Sequence, residues 1–190
     1  MTPTSILTLD MATTTGMCNW RPSSQPFLSS SDLSSVKSQR GKAMSWHEKR
    51  IRENIIENKV DFVVIEAPLL ITRGPRTDNI EKLLWLIGLT VTTERLCWEM
   101  DVRISLCTVQ KWRSHIFGNG RIKGDVAKEC SMLLAKGIGL NPECHDQAEA
   151  FCIMNYVAHL LKLKTDWRLN YEEAIRYCTK TGNRGAISFR

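Results

Sequence analysis

The segment DFVVIEAPLLI at residues 61–71 is the part of this chain that most constrains its fold. A continuous apolar run of strand length, rich in Val and Ile, is typical of a strand buried on both faces, as in the parallel part of a sheet. Glu66 lies inside this run, between Ile65 and Ala67. An ionised carboxylate in such surroundings is costly unless it is paired or bound to a metal. The alternative is that Glu66 emerges from the sheet edge into water.

The rest of the chain predicts a mixed sheet with helices on its faces. Residues 5–10 and 17–20 are predicted to be strands joined by a tight connection at Gly16, with a third edge strand at Phe27 and Leu28. Residues 102–108 are predicted to form a further strand. The spacing of apolar residues predicts helices over residues 42–58, 77–100, 125–136 and 146–163. Strands followed by strand–helix alternation indicate an α/β fold.

Composition excludes several classes of protein. Of 190 residues, 43% are hydrophobic and 24% charged, which fits a folded domain. The longest uncharged apolar stretch, residues 83–91, is too short to cross a bilayer, and no signal peptide is visible. We therefore expect no membrane association and a cytoplasmic location.

The cysteine content and the net charge give further information on the state of the thiols and on the kind of partner. The seven cysteines are odd in number and contain no CxxC pair, which predicts reduced and mostly buried thiols. The net charge is +6, and most of the excess lies in residues 101–190. A basic second half suggests an anionic partner such as nucleic acid, although simple solubility explains the same charge.

Three more acids stand out by position. Asp10 closes the first predicted strand, while Asp146 and Glu149 lie three residues apart at the start of the last long helix and share one face. If Asp10 and Glu66 end neighbouring parallel strands, a strand spacing of about 4.8 Å brings their carboxylates together. Open α/β sheets place their sites at these ends.

Four such carboxylates at one place require cations. Hard oxygen ligands suit Mg²⁺ or Mn²⁺, and two such ions can clamp the attacking and leaving oxygens of a phosphodiester. Each acid also has a structural alternative. Asp10 could be a turn residue that bonds backbone amides, and Asp146 with Glu149 fits a helix-capping pattern.

Four motifs in this order resemble those of RuvC-type Holliday-junction resolvases, in the ribonuclease H-like superfamily. They are ILTLDMATTTG, DFVVIEAP, TVQKWRSHIFGNGRIKGD and HDQAEAFCIMNYV, and together they span about Ser5 to Leu163. Trp112, Phe117 and Gly118 are most similar to phage-type and other divergent members. The resemblance implies a mixed five-stranded sheet flanked by helices. It also implies a nuclease domain over residues 1–164, followed by a basic C-terminal extension over residues 165–190.

The resemblance implies an endonuclease that resolves four-way DNA junctions by paired nicks, leaving 5′-phosphate and 3′-hydroxyl ends. Its partner would be branched DNA, in the cytoplasm or in another compartment that contains DNA, and the protein would act as a homodimer. Asp10, Glu66, Asp146 and Glu149 would ligate two Mg²⁺ or Mn²⁺ ions, one activating water and the other stabilising the leaving 3′ oxygen. His145 would assist as a proton carrier or ligand, with a solvent-facing histidine as the alternative.

Basic residues near the motifs are predicted to contact DNA phosphates as a group, although each alone is better explained as a solvated side chain. The first four surround the glycine-rich loop and the last two follow the second acidic motif: Lys111, Arg113, Arg121, Lys123, Arg73 and Arg76. Where family members carry an aromatic that stacks at the junction, this chain has the apolar residues 69–71, which could act as a wedge.

The helix over residues 77–100 is the candidate dimer interface, and its apolar residues include Trp85 and Leu86. Core packing is the alternative for both. Two active sites on a two-fold axis could nick opposing strands of a two-fold substrate.

Three other functions remain open. A general branched or flap DNA nuclease would use the same four acids and differ only in substrate preference. A non-catalytic junction-binding protein would be expected to lose acids from the cluster. Actin-like ATP phosphotransferases have phosphate loops that resemble DMATTTG, but they build the nucleotide cleft from two such lobes, and 190 residues supply one.

Overall fold

The computed structural model of the chain describes residues 2–68, 77–183 and 187, apart from the side chains of residues 77–79. The strands found there are β1 (Ile6–Asp10), β2 (Thr14–Trp20), β3 (Phe27–Asp32), β4 (Phe62–Glu66) and β5 (Arg103–Cys107). The α-helices are α1 (Arg40–Glu57), α2 (Thr77–Glu99), α3 (Val109–Phe117), α4 (Gly124–Gly137), α5 (His145–Leu160) and α6 (Glu172–Lys180). A short 3₁₀-helix, Ser34–Val36, precedes α1.

The five strands form one mixed sheet in the order β3-β2-β1-β4-β5. Strand β2 is antiparallel to both of its neighbours, β1 and β3, whereas β1, β4 and β5 run parallel. Leu9 of β1 pairs with Ile65 of β4, so Asp10 and Glu66 are the next residues on adjacent strands. This confirms the predicted mixed α/β sheet and puts both acids at the same carboxyl edge.

Helices cover both faces of the sheet, because the strand residues alternate between two apolar cores. Leu7 and Leu9 pack in the core under α1 and α2, while Ile6 and Val64 pack in the core under α3, α4 and α5. Thr8 lies on the second face, where its hydroxyl donates to the carbonyl oxygen of Ala150 in α5 at 2.7 Å. The period of two therefore directs Asp10 and Glu66 toward the α5 side.

Gly16 has a different role from the one predicted. The connection between β1 and β2 comprises residues 11–13, and Gly16 lies inside β2, opposite Asp10. A Cβ atom on Gly16 would lie 2.0 Å from the carbonyl oxygen of Asp146. Glycine is thus needed here for the close approach of α5 to the sheet, not for a turn.

Described residues after position 164 pack on the rest of the chain. Trp167, Ala174 and Cys178 are buried in the core under α4 and α5. The Trp167 ring meets the Trp20 ring edge-on, with 5.0 Å between centroids. Helix α6 lies in this segment.

Several other features of the chain agree with expectation. All seven cysteines are free and all but Cys144 are buried, as predicted.

Trp85 is buried and Leu86 packs against the core between the sheet and helices α1 and α2. Core packing, the alternative to the dimer interface, therefore holds for these two residues. No helix in the described ranges combines the length and apolarity needed to cross a membrane.

Candidate active site

Three carboxylates converge where the sheet meets the start of α5. Asp10, Asp146 and Glu149 each offer an oxygen atom, and these three atoms all lie within 4.8 Å of one another. Asp10 comes from the end of β1, and the other two come from the first turns of α5. The contact between Gly16 and the Asp146 backbone explains why the helix start reaches the sheet so closely.

The structural alternatives for these acids are not realised. Helix α5 begins at His145 with Cys144 as its N-cap residue, so neither Asp146 nor Glu149 is the N-cap. Asp146 is therefore inside the helix, and Glu149 is bonded to Arg113 instead of the helix end. Within residues 2–68 and 77–183, no backbone amide donates to the carboxylate of Asp10, although this side chain is buried. Capping and turn formation do not account for the cluster.

Glu66 lies beside the three acids but is held differently. It is the last residue of β4 and is partly buried, so it neither sits fully in the core nor emerges freely into water. Its Oε2 atom accepts a hydrogen bond of 2.6 Å from the indole Nε1 of Trp112. Glu66 lines the same cleft as Asp10, Asp146 and Glu149. All four predicted metal ligands therefore share one cleft, and three of them have oxygen atoms close enough together to bind one ion.

Burial and mutual repulsion make this cluster unfavourable when it is fully ionised. Burial, followed by the charges of Glu66, Glu149 and Asp146, raises the pKa of Asp10 well above its ordinary value. Burial raises the pKa of Glu66 to about 7, against the opposing effect of the indole hydrogen bond. Burial also raises the pKa of Asp146 and of Glu149.

Two cationic side chains offset part of this charge. The guanidinium of Arg113 donates to Oε1 of Glu149 at 2.9 Å, and both side chains are largely buried. The ammonium of Lys128 in α4 acts on all four acids, and its charge works against the rise in the pKa of each. When all four carboxylates are ionised, these two cations leave the site with a formal net charge of two negative units.

The four acids line a cleft of about 910 Å³. Besides Arg113 and Lys128, three basic side chains line it: Lys37 and Arg40 before and at the start of α1, and Lys82 on α2. Lys37, Arg40, Lys82 and Lys128 were not predicted from the sequence. No motif marks them, because they come from separate elements that only the fold brings together.

The other predicted DNA contacts are placed less centrally. Lys111, Arg121 and Lys123 are exposed, and none of the three is among the described residues that line the cleft. Arg73 and Arg76, like the predicted wedge at residues 69–71, lie outside the described residues.

His145 is the predicted site residue that the structure does not bring into the acid cluster. Its Nε2 atom lies 2.9 Å from Oε1 of Glu129 in α4. The ring is partly exposed, and a positive charge on it would oppose the rise in the pKa of Asp146. Its role as a proton carrier or ligand stays a prediction.

The donor set fits a divalent cation bound through oxygen. Three carboxylate oxygens within 4.8 Å of one another offer the hard ligands that Mg²⁺, Mn²⁺ or Ca²⁺ prefer, without a thiolate or imidazole among them. The Asp10 carboxylate is buried and surrounded by like charges, so a cation would satisfy it. This acidic triad can therefore bind a metal ion.

Comparison with solved structures identifies the fold. The chain is similar to Thermus thermophilus RuvC, with a TM-score of 0.60 and 14% identity over 84% of this chain and 98% of RuvC. It is equally similar to T. thermophilus RuvC in complex with a Holliday junction substrate, with a TM-score of 0.61 and 14% identity over 85% and 98% of the two chains. The yeast mitochondrial Holliday junction resolvase Ydc2 matches with a TM-score of 0.48 and 13% identity over 94% and 87%.

No family model and no curated protein sequence matches the chain. The likeness is therefore one of fold: the chain has the ribonuclease H-like fold of RuvC, as its four motifs predict.

Proposed function

We propose that this protein is a metal-dependent endonuclease that resolves four-way DNA junctions by paired nicks. The observation that carries the proposal is the convergence of Asp10, Asp146 and Glu149, with Glu66 beside them, at the carboxyl edge of a RuvC-like sheet. The fold alone would support many chemistries, so the proposal depends on this cluster and on the cations around it.

The four acids would form two adjacent cation-binding sites. Asp10, Asp146 and Glu149 would hold one divalent ion, and Glu66 would share a second with Asp10, which ends the strand next to β4. Two divalent ions held by these residues would activate water and stabilise the leaving 3′ oxygen, which would give 5′-phosphate and 3′-hydroxyl ends. Mg²⁺ and Mn²⁺ are the ions that suit this set of ligands.

Arg113 and Lys128 offset part of the negative charge of the carboxylates and of the substrate phosphate. Both line the cleft beside the carboxylates. A phosphodiester that enters brings a negative charge into a site already rich in carboxylates, and these two cations reduce the repulsion. They would also stabilise the additional negative charge that develops on the phosphate in the transition state.

The basic side chains that line the cleft are suited to a DNA backbone. Lys37, Arg40 and Lys82 add positive charge to the lining of the cleft, beside that of Arg113 and Lys128. Phosphate contacts of this kind position DNA without reading its sequence. The T. thermophilus RuvC structure with a Holliday junction substrate supports branched DNA as the class of substrate.

Helix α2 offers a surface for a second copy of the chain. Five large apolar residues on it are exposed at heptad-like spacing: Ile80, Leu84, Ile87, Val91 and Trp98. Such a stripe along one helix is the pattern of a helix–helix seam. A two-fold dimer would present two acid clusters to a junction with two-fold symmetry, as paired nicking requires.

Cleavage of labelled DNA tests the proposal. A mobile four-way junction, a flap, a duplex and a single strand are incubated with the protein in Mg²⁺ or Mn²⁺, and the products are resolved. We expect cleavage of the junction, with 5′-phosphate ends, and little cleavage of the duplex or the single strand. Equal cleavage of flaps and junctions would instead indicate a general branched-DNA nuclease, and binding without cleavage in either metal would indicate a junction-binding protein.

A further inference from the structure

One acid of the cluster is held by a tryptophan that the proposed reaction does not itself use. Trp112 on α3 is fully buried, and its side-chain N–H, at Nε1, donates to Oε2 of Glu66 at 2.6 Å. The donor is on α3 and the acceptor ends β4, so the bond ties the helix to the carboxyl edge of the sheet.

Filling the core does not by itself require this hydrogen bond. The indole Nε1 atoms of Trp85 and Trp167 are also buried, and neither has a hydrogen-bond partner within the described ranges. Trp112 packs on Phe117, with 6.1 Å between ring centroids, and belongs to the core under α4 and α5. A phenylalanine at 112 would supply most of that apolar contact but not the donor.

The bond restricts how Glu66 can present its carboxylate. A glutamate side chain has three rotatable bonds, and one fixed oxygen removes most of that freedom. Because the indole has a single N–H, it occupies Oε2 and leaves Oε1 unbonded by Trp112. Glu66 also lines the acid cleft, so the restricted carboxylate belongs to the site.

We propose that Trp112 is a positioning residue that orients Glu66 for a divalent cation. This inference rests on the proposed function and extends it by one residue outside the ligand set. Partners that hydrogen-bond to metal ligands commonly fix the orientation of those ligands, and losing one typically lowers metal affinity about tenfold or more.

The next residue on the helix makes a parallel contact. Arg113 donates to Oε1 of Glu149. Two consecutive residues of α3 thus bond two acids that come from β4 and α5, which are separate elements of the fold. Helix α3 therefore sets the geometry on one side of the cluster.

The test measures Mn²⁺ binding by calorimetry to the full chain without DNA. Trp112→Phe removes the donor but keeps an aromatic ring. Trp20→Phe is the matched control, because Trp20 is also buried and its Nε1 donates at 3.0 Å to a carbonyl oxygen of Ser24, a residue outside the acid cleft. We expect the Mn²⁺ dissociation constant to rise about tenfold in Trp112→Phe and to change less than about twofold in Trp20→Phe.

A double-mutant cycle shows whether Trp112 acts through Glu66. In a Glu66→Gln background, Trp112→Phe should cause no further loss of Mn²⁺ affinity, because the carboxylate it orients is gone. A purely structural effect of Trp112 would appear equally in both backgrounds. If Trp112→Phe does not fold, 3-benzothienylalanine at position 112 keeps the bicyclic shape and replaces the N–H with sulfur.

The outcomes separate this inference from the proposed function. Wild-type binding of Mn²⁺, with Trp112→Phe indistinguishable from Trp20→Phe, overturns the role of Trp112 alone. An equal loss in both Glu66 backgrounds overturns it as well. Absence of Mn²⁺ binding by the wild type contradicts the proposed nuclease, and the role of Trp112 with it.

Discussion

Asp10 is buried among three other carboxyl groups, so its ionised form is strongly disfavoured without a cation. Asp10→Asn keeps the shape and removes the charge. We expect cleavage to fall by at least about a thousandfold, which corresponds to about 4 kcal/mol of lost transition-state stabilisation. We also expect the metal-free variant to melt at a higher temperature than the wild type at pH 8. Single-turnover cleavage and thermal melts in EDTA measure the two effects.

Asp61→Asn is the control with the opposite expectation for stability. Despite partial burial, hydrogen bonds from Thr4 and Ser5 lower the pKa of Asp61, so its ionised form contributes stability that is lost as the pH falls. Asp61→Asn should lower the melting temperature at pH 8 and leave cleavage intact. A melting temperature that falls in Asp10→Asn as much as in Asp61→Asn would contradict the described environment of Asp10.

Glu66 makes the stability of the metal-free protein depend on pH. Its pKa is about 7 in the folded state, against an ordinary value of 4.5. The folded state therefore binds more protons between these values, and the free energy of unfolding falls as the pH rises from about 4.5 to about 7. Urea unfolding in EDTA at pH 5 and pH 8 should show this fall, reduced in Glu66→Gln.

Added Mg²⁺ should reverse that loss, because an ion that binds only the folded state stabilises it by mass action. Exposed Glu57, mutated to Gln, is the control and should follow the wild type at both pH values. A wild-type unfolding free energy that is independent of pH and of Mg²⁺ would contradict the cluster as described.

At the level of elements, the site depends on how closely α5 approaches β2. Gly16→Ala would place a Cβ atom 2.0 Å from the carbonyl oxygen of Asp146. Since neither the strand nor the helix backbone can give way without displacing Asp146, we expect a loss of about 1–3 kcal/mol in unfolding free energy and weakened Mn²⁺ binding. Chemical denaturation and calorimetry measure these quantities.

Gly41→Ala is the matched control. Gly41 lies in α1, and a Cβ atom there would meet no neighbouring atom of the described residues within 4 Å. Alanine at this position should stabilise the protein by about 0.5–1 kcal/mol without affecting Mn²⁺ binding. Unchanged stability and Mn²⁺ affinity in Gly16→Ala would show that α5 does not need glycine at its contact with β2.

The strands and helices were largely predictable from the sequence, whereas the contacts between elements distant in sequence were not. The apolar run around Glu66 predicted a central parallel strand, and Asp10 at the end of β1 was placed correctly beside it. Gly16 was misassigned to a turn, because its need for glycine arises from a helix 130 residues later in the chain. The hydrogen bond from Trp112 to Glu66 could not be predicted, because the spacing of apolar residues on a helix indicates only that a tryptophan is buried and not what its N–H contacts.

For the whole molecule, the exposed stripe on α2 predicts self-association. Leu84→Glu and Ile87→Glu would place charges in the proposed seam, and we expect each variant to be monomeric where the wild type is dimeric. Light scattering coupled to size-exclusion chromatography measures the mass. Ile56→Glu is the control, because Ile56 is an exposed apolar residue on α1 outside the stripe.

Loss of the dimer should also change the products. A monomer retains the acid cluster but not a second, symmetry-related one, so we expect single nicks in place of paired nicks. A wild type that is monomeric at all concentrations tested, or stripe variants that stay dimeric, would show that α2 is not the interface.

The most direct test of the proposed nuclease maps nicks on all four strands of a four-way junction in Mg²⁺, for the wild type and for Asp10→Asn. The acid cluster predicts symmetric nicks on two opposing strands that require both the divalent ion and Asp10. Nicks that persist in EDTA or in Asp10→Asn would contradict the cluster as the reaction centre. A wild type that binds the junction and leaves every strand intact in Mg²⁺ and in Mn²⁺ would contradict the nuclease itself.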